Sequence, residues 1–206
     1  MRCDYSHLAR NTCPLGRASR ARSFALTLAD AALGYAQRAA RALGDGAEFA
    51  ERFAREPQAS INLLVNQMIG TLETAAARRL DHVVSAHANG NLRLKDVQGA
   101  ASGLSTEIPR AWLQTSRRLY LGAGSAGLTT LVAKAAPAID ASLRRRLDRA
   151  EAAMQRIDSP LEQLVARDSS IIAEAVAAIK DLEMGLRVDL VAALGVTLSF
   201  TASDGD

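Results

Sequence analysis

The chain has 206 residues, of which 49% are hydrophobic and only 4% are aromatic. Its 25 basic and 22 acidic residues give a formal charge of +3, and this near balance argues against a nucleic-acid-binding surface. A chain of this length can bury a sizeable hydrophobic core, and an alanine-rich, aromatic-poor composition favours close-packed helices over β-sheets. The sequence therefore predicts an all-α protein.

The first 20 residues show no hydrophobic period and predict an irregular leader, followed by one domain over residues 21–206. Cys3 and Cys13 lie in this leader, where they are either incidental thiols or a disulfide; two cysteines match no zinc pattern. The leader contains arginines but no apolar segment of the kind found in signal peptides, so none is expected. No apolar run approaches the length of a membrane span, so no transmembrane segment is expected either.

Apolar residues at helical spacing predict a helix over residues 24–43, which the Gly-Asp-Gly sequence at 44–46 should end. The next helical stretch must be kinked or restarted at Pro57. Beyond the proline a regular apolar stripe covers residues 61–83. Gly70 lies in this stripe, and since a glycine within a helix costs about 1 kcal/mol relative to alanine, we expect a neighbouring helix to approach closely there.

The middle of the chain predicts a long connection and two further helical regions. Residues 87–103 lose the helical period and contain turn residues, which is typical of a connection that crosses one end of a bundle. A shorter helix is predicted from about Thr106 or Pro109 to Tyr120. After a glycine-rich break, a helical pattern extends over 128–157, interrupted or restarted at Pro137.

The last helix is predicted to be the longest and to organise the packing of the others. Ser159, Pro160 and Glu162 form a capping-box start, and Gly195 supplies the left-handed residue that ends the helix. Residues 196–200 then alternate as in a short extended tail. The fold predicted is an antiparallel up-and-down bundle of four long helices plus short helices, with a short extended C-terminal tail.

Residues 122–127, Gly-Ala-Gly-Ser-Ala-Gly, match the dinucleotide-binding pattern G-x-G-x-x-G letter for letter. That pattern binds a pyrophosphate because a strand leads into its tight turn and a helix N-terminus follows. Here the preceding residues are helical in pattern. We therefore interpret this segment as a loop between two helices, with nucleotide binding as the alternative.

Histidines and terminal carboxylates are the remaining metal-ligand types in the chain. His82 and His87 are five residues apart, which places their imidazoles about 140° apart around a helix and favours solvated side chains over a shared transition metal. Asp204 and Asp206 favour a solvated acidic tail over a hard-cation site, which needs six or more oxygen ligands. No nucleophile pattern is present, so the residues indicate no catalytic, cofactor-binding or metal-binding group.

Polar residues within otherwise apolar stripes are the candidates for a ligand site or an interface. They are Asn66, Gln67, Glu73, Ser116 and Asp168. A buried carboxylate must be paired or neutral, so Asp168 is expected to pair with an arginine across the bundle, or alternatively to line a polar cavity.

Several segments resemble the imelysin family, most specifically the sequence Leu-Gly-Val-Thr-Leu-Ser-Phe with its Asp-Gly-Asp ending. The similar segments are residues 63–73, 117–122, 180–183, 194–200 and 204–206. The resemblance covers roughly residues 23–206 and corresponds to the second of the two helical-bundle halves of that family. It implies an all-helical bundle in a bacterial cell-envelope or periplasmic protein linked to iron uptake.

The chain departs from the family at its hallmark motif, G-x-H-x-x-E, whose His and Glu are taken to form the metal or peptidase site. None of His7, His82 and His87 has the required glycine and glutamate. No catalytic residue can be carried over, so we expect no peptidase activity. Iron or another divalent metal is implied only by the resemblance. A metallopeptidase with unrecognised ligands is the least favoured hypothesis.

Two functions follow from the resemblance and the predicted fold. The first is a non-catalytic binding or accessory module in the handling of iron or another ligand, with envelope iron-uptake components as partners. The alternative is a structural or interaction bundle that docks a partner or a missing N-terminal half. The family's signal sequence and lipid-attachment cysteine are not found, so a truncated gene product or a stand-alone second half is expected.

Overall fold

The computed structural model describes residues 15–124 and 126–199, with side chains from residue 22 onward. These residues form helices, turns and loops and no β-strand, so the predicted all-α fold class is confirmed. The chain divides into two compact units, Met1–Ser60 and Ile61–Asp206. The predicted organisation of a leader over 1–20 and one domain over 21–206 stays a prediction. Cys3, Cys13 and His7 lie outside the described residues.

The first unit contains the helices α1 (Leu15–Ala42) and α2 (Glu48–Arg55). Helix α1 begins before the predicted residue 24, and the turn that follows it contains Gly46 at a φ of 74°, a left-handed conformation that suits glycine. The large apolar side chains of α1 are exposed; Phe24 is 62% and Tyr35 is 69% exposed. The described part of this unit therefore carries apolar surface that it does not bury itself.

The remaining helical elements were predicted in outline by the apolar stripes. In chain order they are α3 (Pro57–Glu73), a first π-helical segment (Thr74–Asp81), α4 (His82–Ala88), α5 (Glu107–Leu121), α6 (Leu128–Ala135), α7 (Pro137–Gln155), α8 (Leu161–Arg167), α9 (Ser169–Gly185), a second π-helical segment (Leu186–Leu190) and α10 (Val191–Leu194). The π-helical segments join their neighbours without a break, which gives two long continuous helices. Prolines begin α3 and α7, as expected for a residue that lacks an N–H donor.

The two long helices pack against each other in opposite directions. Lys180 Nζ lies 2.7 Å from Asp81 Oδ2, and Arg187 Nη2 lies 3.3 Å from Glu73 Oε2. Since the later residue of one helix pairs with the earlier residue of the other, the two helices are antiparallel. Ion pairs near the surface contribute about 0–1 kcal/mol each. They therefore show which residues of the two helices lie side by side but add little to the stability of the fold.

Helix α7 packs antiparallel to α9. Arg149 Nη2 lies 3.0 Å from Asp181 Oδ2, and Arg156 forms an ion pair with Glu174 further along both helices. The same helix has α5 on another side, and α5 also packs on the first π-helical segment. These pairings connect the two long helices, α7 and α5 into one bundle. The prediction of four long helices is not confirmed in that detail, because α5 has only 15 residues.

Aliphatic side chains from these helices form the core. Among the described residues, every buried hydrophobic side chain lies between Val65 and Val196. Fully burying one large aliphatic side chain stabilises the fold by about 1.5–3 kcal/mol. The largest fully buried side chains are Tyr120, Met68, Leu72, Leu80, Leu143, Leu147, Met154, Ile157, Leu161, Leu164, Ile172 and Ile179.

Every helix in the described part of the chain falls short of the length or the hydropathy that a membrane-crossing segment needs.

The predicted unbroken helix from Ser159 to Gly195 is wrong at one position. Asp168 has an extended backbone, with φ −158° and ψ 92°, and separates α8 from α9. Its Oδ1 accepts hydrogen bonds from the Ser170 N–H (3.0 Å) and the Ser170 hydroxyl (2.6 Å). An aspartate followed by two serines is a strong N-cap sequence, so the helix restarts there. Gly195 ends the last helix at φ 62°, as predicted.

The start of α8 also differs from the predicted capping box. The Leu161 N–H donates to Ser105 Oγ (3.1 Å), and the Ser105 hydroxyl donates to Glu162 Oε2 (2.7 Å). Ser105 belongs to the long connection between α4 and α5, which was predicted over residues 87–103 and contains two short 3-10 turns. The hydroxyl that caps α8 is therefore that of Ser105, which is distant in sequence, and not that of Ser159. The sequence around the start of the helix does not reveal this partner.

The residues after Gly195 show the alternation predicted for an extended tail, without forming a strand. Val196 is buried and Leu198 is half-buried against the core, whereas Thr197 and Ser199 are exposed. The last residues of this predicted tail, including Asp204 and Asp206, lie outside the described part of the chain.

Candidate functional site

The five predicted site residues occupy different environments. Ser116 is buried, Asn66 and Glu73 are half-buried, and Gln67 and Asp168 are exposed. The polar contacts of Asn66, Glu73 and Asp168 join these three residues to different segments. They therefore do not form one polar cluster, and their role as ligand or interface residues stays a prediction.

Asn66 holds the C-terminal tail against α3. Its Nδ2 donates to the Thr197 carbonyl (2.9 Å), and its Oδ1 accepts the Ser199 N–H (2.8 Å). Asn62, one turn earlier, accepts the Thr197 N–H at its Oδ1 (3.2 Å). The two side-chain amides thus satisfy backbone groups of the tail, which otherwise lack the partners that a β-sheet would provide.

Glu73 and Asp168 have structural contacts. Glu73 lies in the ion pair with Arg187, whose Nε also lies 2.8 Å from Glu183 Oε1. Asp168 does not pair with an arginine across the bundle, as was expected, because its carboxylate caps α9. Hydrogen bonds from the Ser170 hydroxyl and from the Ser170 N–H lower the pKa of this carboxyl below its usual value.

A buried polar cluster that the sequence analysis missed joins α5, α6 and α7. Asp140 is 7% exposed and its Oδ1 accepts hydrogen bonds from the Tyr120 hydroxyl (2.8 Å) and the Thr129 hydroxyl (2.5 Å). Its Oδ2 accepts from Arg144 Nε (2.8 Å), and Arg144 Nη2 donates to Thr129 Oγ1 (2.6 Å). Each oxygen of the buried carboxylate is therefore paired, as burial of a charge requires.

The electrostatics of this cluster keep Asp140 ionised and Tyr120 neutral. Burial raises the pKa of Asp140, but the hydrogen bonds from Thr129, Tyr120 and Arg144, together with the Arg144 charge, lower it below its ordinary value. Burial and the neighbouring carboxylate raise the pKa of the Tyr120 hydroxyl. Because the carboxylate is saturated with donors, the cluster is suited to fixing three helices and not to proton transfer.

The glycine-rich loop at 122–127 connects α5 to α6, so it follows a helix and not a strand. A Cβ atom on Gly127 would lie 2.4 Å from both the Gly122 nitrogen and the Tyr120 carbonyl oxygen. Only glycine fits this approach of backbone to backbone. Ser125 lies outside the described residues. The last glycine of the G-x-G-x-x-G match is thus explained by loop packing, and the first, Gly122, by its left-handed φ of 87°.

A polar cleft at the C-terminal end of α5 is a candidate for a ligand site. This cleft, called the arginine cleft below, has a volume of about 310 Å³. Arg117 Nη1 lies 2.7 Å from Asp148 Oδ1 and 3.4 Å from Glu151 Oε2 on the facing helix α7. The residues that line the cleft are Gln114, Arg117, Arg118, Leu121, Gly122 and Glu151. Sequence reasoning missed it, although adjacent arginines beside a glycine-rich loop were visible.

Another arginine, Arg79, is half-buried on the bundle. Arg79, on the first π-helical segment, has its Cζ 5.1 Å from the centroid of the Trp112 ring. Its Nε and Nη1 are buried and have no hydrogen-bond partner among the described residues. Burial lowers the pKa of this guanidinium, and the aromatic face offsets part of its desolvation.

His82 and His87 both lie on α4 and are exposed. Within the described residues, His, Cys, Asp and Glu side chains form no group of three or more that could hold a metal ion. Asp204 and Asp206 are outside that part of the chain.

Comparison with known proteins identifies the family. No curated protein and no solved structure matches the chain significantly. The family model described as Imelysin, which carries a peptidase name, matches residues 16–187. This range covers most of the 206 residues and includes the helices that form the arginine cleft and the buried Asp140 cluster. The chain therefore belongs to the imelysin family.

Proposed function

We propose that this chain is a non-catalytic binding module of the bacterial cell envelope, linked to the uptake of iron or another metal. Membership of the imelysin family supports the envelope location and the link to iron, which are the properties that the family resemblance implies. The sequence contains no G-x-H-x-x-E, the motif in which the family's His and Glu are taken to act. Its partners are envelope iron-uptake components or a missing N-terminal half.

The structural feature that supports a binding function is the arginine cleft. Its lining contains two guanidinium groups, the side-chain amide of Gln114, the Glu151 carboxylate and the apolar surface of Leu121 and Gly122. Such a mixture of a few fixed polar groups and apolar surface is typical of small-ligand sites. Guanidinium groups cannot act as general bases or metal ligands, because they keep their protons at any physiological pH.

The proposal is tested on the full chain by two measurements made side by side. Incubation with an unfolded protein substrate, with and without added zinc or iron, should give no hydrolysis above the buffer blank. Thermal unfolding should shift upward in the presence of ferric iron or its small chelates, since a ligand that binds the folded state raises its stability.

The control for the peptidase test is the double variant His82→Ala and His87→Ala, because both histidines are exposed and their loss leaves the core intact. Hydrolysis by the original chain that this variant lacks would contradict the non-catalytic role. No shift with any iron species would contradict the link to iron while leaving open binding of another ligand.

A second function, docking of a partner, is favoured by the exposed apolar side chains of α1. Leu28 shares the face of Phe24 and Tyr35, since the three recur at helical spacing, and it is also more than half exposed. Leu26 and Leu33 are exposed to a similar degree on the opposite face. Monomeric proteins rarely expose large contiguous apolar patches unless these bind something. A mass in solution above that of one chain, or co-purification with an imelysin N-terminal half, would favour this function.

A further inference from the structure

We propose that the arginine cleft binds a small oxyanion, a ligand that carries a carboxylate or phosphate group, through Arg117 and Arg118. This inference rests on the proposed binding role and names the chemical class of the ligand. The cleft combines a guanidinium that is held in place, one that is uncommitted, and a volume suited to a small molecule.

Arg117 is oriented before any ligand arrives. Its Nη1 is the atom that meets both Asp148 and Glu151, at 2.7 and 3.4 Å. Its Nε and Nη2 have no hydrogen-bond partner among the described residues. These two nitrogens form the edge of the guanidinium that binds a carboxylate or phosphate with two parallel hydrogen bonds. Because the two carboxylates already restrict this long side chain, less conformational entropy is lost on binding.

Arg118 supplies charge that no carboxylate of the described residues neutralises. It is exposed and forms no ion pair with any described residue, although it lies beside Arg117 in the cleft. By contrast, Arg149 and Arg156 on α7 each pair with a carboxylate of α9. Two guanidinium groups and two carboxylates, Glu151 and Asp148, lie in or beside the cleft, and both carboxylates face Arg117 Nη1. The charged group that has no ion pair among the described residues is therefore a cation, Arg118, so an anion is favoured over a cation there.

The remaining lining residues set the size and polarity of the ligand. Gln114 lies one helical turn before Arg118, so its amide reaches the same side of α5 and can donate or accept a hydrogen bond. Leu121 and Gly122 add apolar surface to the lining. A volume of about 310 Å³ is at the small end of ligand pockets. We therefore expect a compact anion rather than a polymer.

The full chain is titrated with citrate and, separately, with inorganic phosphate at constant ionic strength, and binding is followed by calorimetry and by amide chemical shifts. We expect saturable binding with a dissociation constant of about 1 mM or tighter. The largest shifts should occur at the Gln114 side chain and the Gly122 amide. Saturation by citrate alone assigns a carboxylate ligand, and saturation by phosphate alone assigns a phosphate ligand.

The variant Arg118→Gln should weaken binding about tenfold, the loss expected for one charge-assisted hydrogen bond. Arg78→Gln is the matched control: Arg78 is exposed and does not line the cleft, so the same loss of net charge should leave affinity unchanged. Arg117→Lys keeps the charge but removes the two-nitrogen edge, and should weaken citrate binding about as much. Circular dichroism of the Arg117 variant checks that its contact with α7 is not needed for folding.

Equal weakening by Arg118→Gln and Arg78→Gln, or no saturation by either anion, would overturn the oxyanion site. Because Arg118 is exposed and has no ion pair within the described part of the chain, its variant should fold normally and stays decisive if the Arg117 variant does not fold. If anion binding is not found but iron still raises the unfolding temperature and no hydrolysis occurs, the oxyanion site is refuted and the proposed function stands. Peptide hydrolysis together with normal anion binding would instead refute the non-catalytic role and leave the oxyanion site standing.

Discussion

Two glycines within helices show how neighbouring atoms decide the effect of one methyl group. Gly70 in α3 was expected to allow close approach of a neighbouring helix, but none of the described residues outside its own helical turn places an atom within 4 Å of the position that its Cβ would occupy. At Gly185, the last residue of α9, a Cβ would lie 2.5 Å from Arg146 Nη1 and 3.0 Å from Leu143 Cδ2. The same substitution should therefore have opposite effects at the two positions.

We predict that Gly70→Ala stabilises the protein by about 0.5–1 kcal/mol, because alanine loses less backbone entropy in a helix and meets no clash. Gly185→Ala should destabilise it by about 1–3 kcal/mol, since Arg146 must move and its hydrogen bond to the Asp181 carbonyl (2.8 Å) is lost. Urea denaturation of the two variants and the original chain measures both free energies. Equal effects of the same sign would contradict the packing described at these glycines.

At the level of elements, the apolar stripes predicted most helices because burial of one face requires a period of 3.6 residues. The break at Asp168 escaped prediction because apolar residues continue at helical spacing on both sides of it. The Asp140 cluster escaped for a different reason. Its members come from three helices, so their pairing depends on packing that no local pattern encodes. The same holds for the arginine cleft, which α5 and α7 form together.

Asp140 links three helices, so its loss should affect the whole bundle. We predict that Asp140→Asn lowers the free energy of unfolding by about 1–3 kcal/mol at neutral pH, because charge-assisted hydrogen bonds from Tyr120 and Arg144 are weakened. Asp148→Asn on the same helix is the control: Asp148 is 65% exposed and pairs at the surface, so its loss should cost below about 1 kcal/mol.

The effect of Asp140→Asn should also depend on pH. The folded state lowers the pKa of Asp140, so its stabilising contribution is fully present above the pKa of the unfolded chain, about 3.9. That contribution is lost as the pH falls from there through the lower pKa of the folded state. The difference between the original chain and the variant should therefore shrink below about pH 4. A difference that is constant or grows on acidification, measured by urea denaturation, would contradict the ionised buried carboxylate.

For the molecule as a whole, the buried core and the exposed apolar side chains of α1 lie in different parts of the chain. Every buried hydrophobic side chain described lies between Val65 and Val196, whereas the large apolar side chains of α1 are exposed. Residues 57–206 contain all the helices that share the core, from the start of α3. Stability should thus reside in the second unit, and any association through α1 should reside in the first.

We predict that the fragment 57–206 folds cooperatively by itself and has the mass of one chain in solution. Its free energy of unfolding should fall in the range of about 5–15 kcal/mol typical of single domains. Near-ultraviolet circular dichroism, thermal unfolding and sedimentation, compared with the full chain, measure folding and mass together. If the full chain associates and the fragment does not, α1 provides the docking surface; association of both at equal strength would assign it elsewhere. A fragment that melts without a cooperative transition would show that the second unit depends on the first.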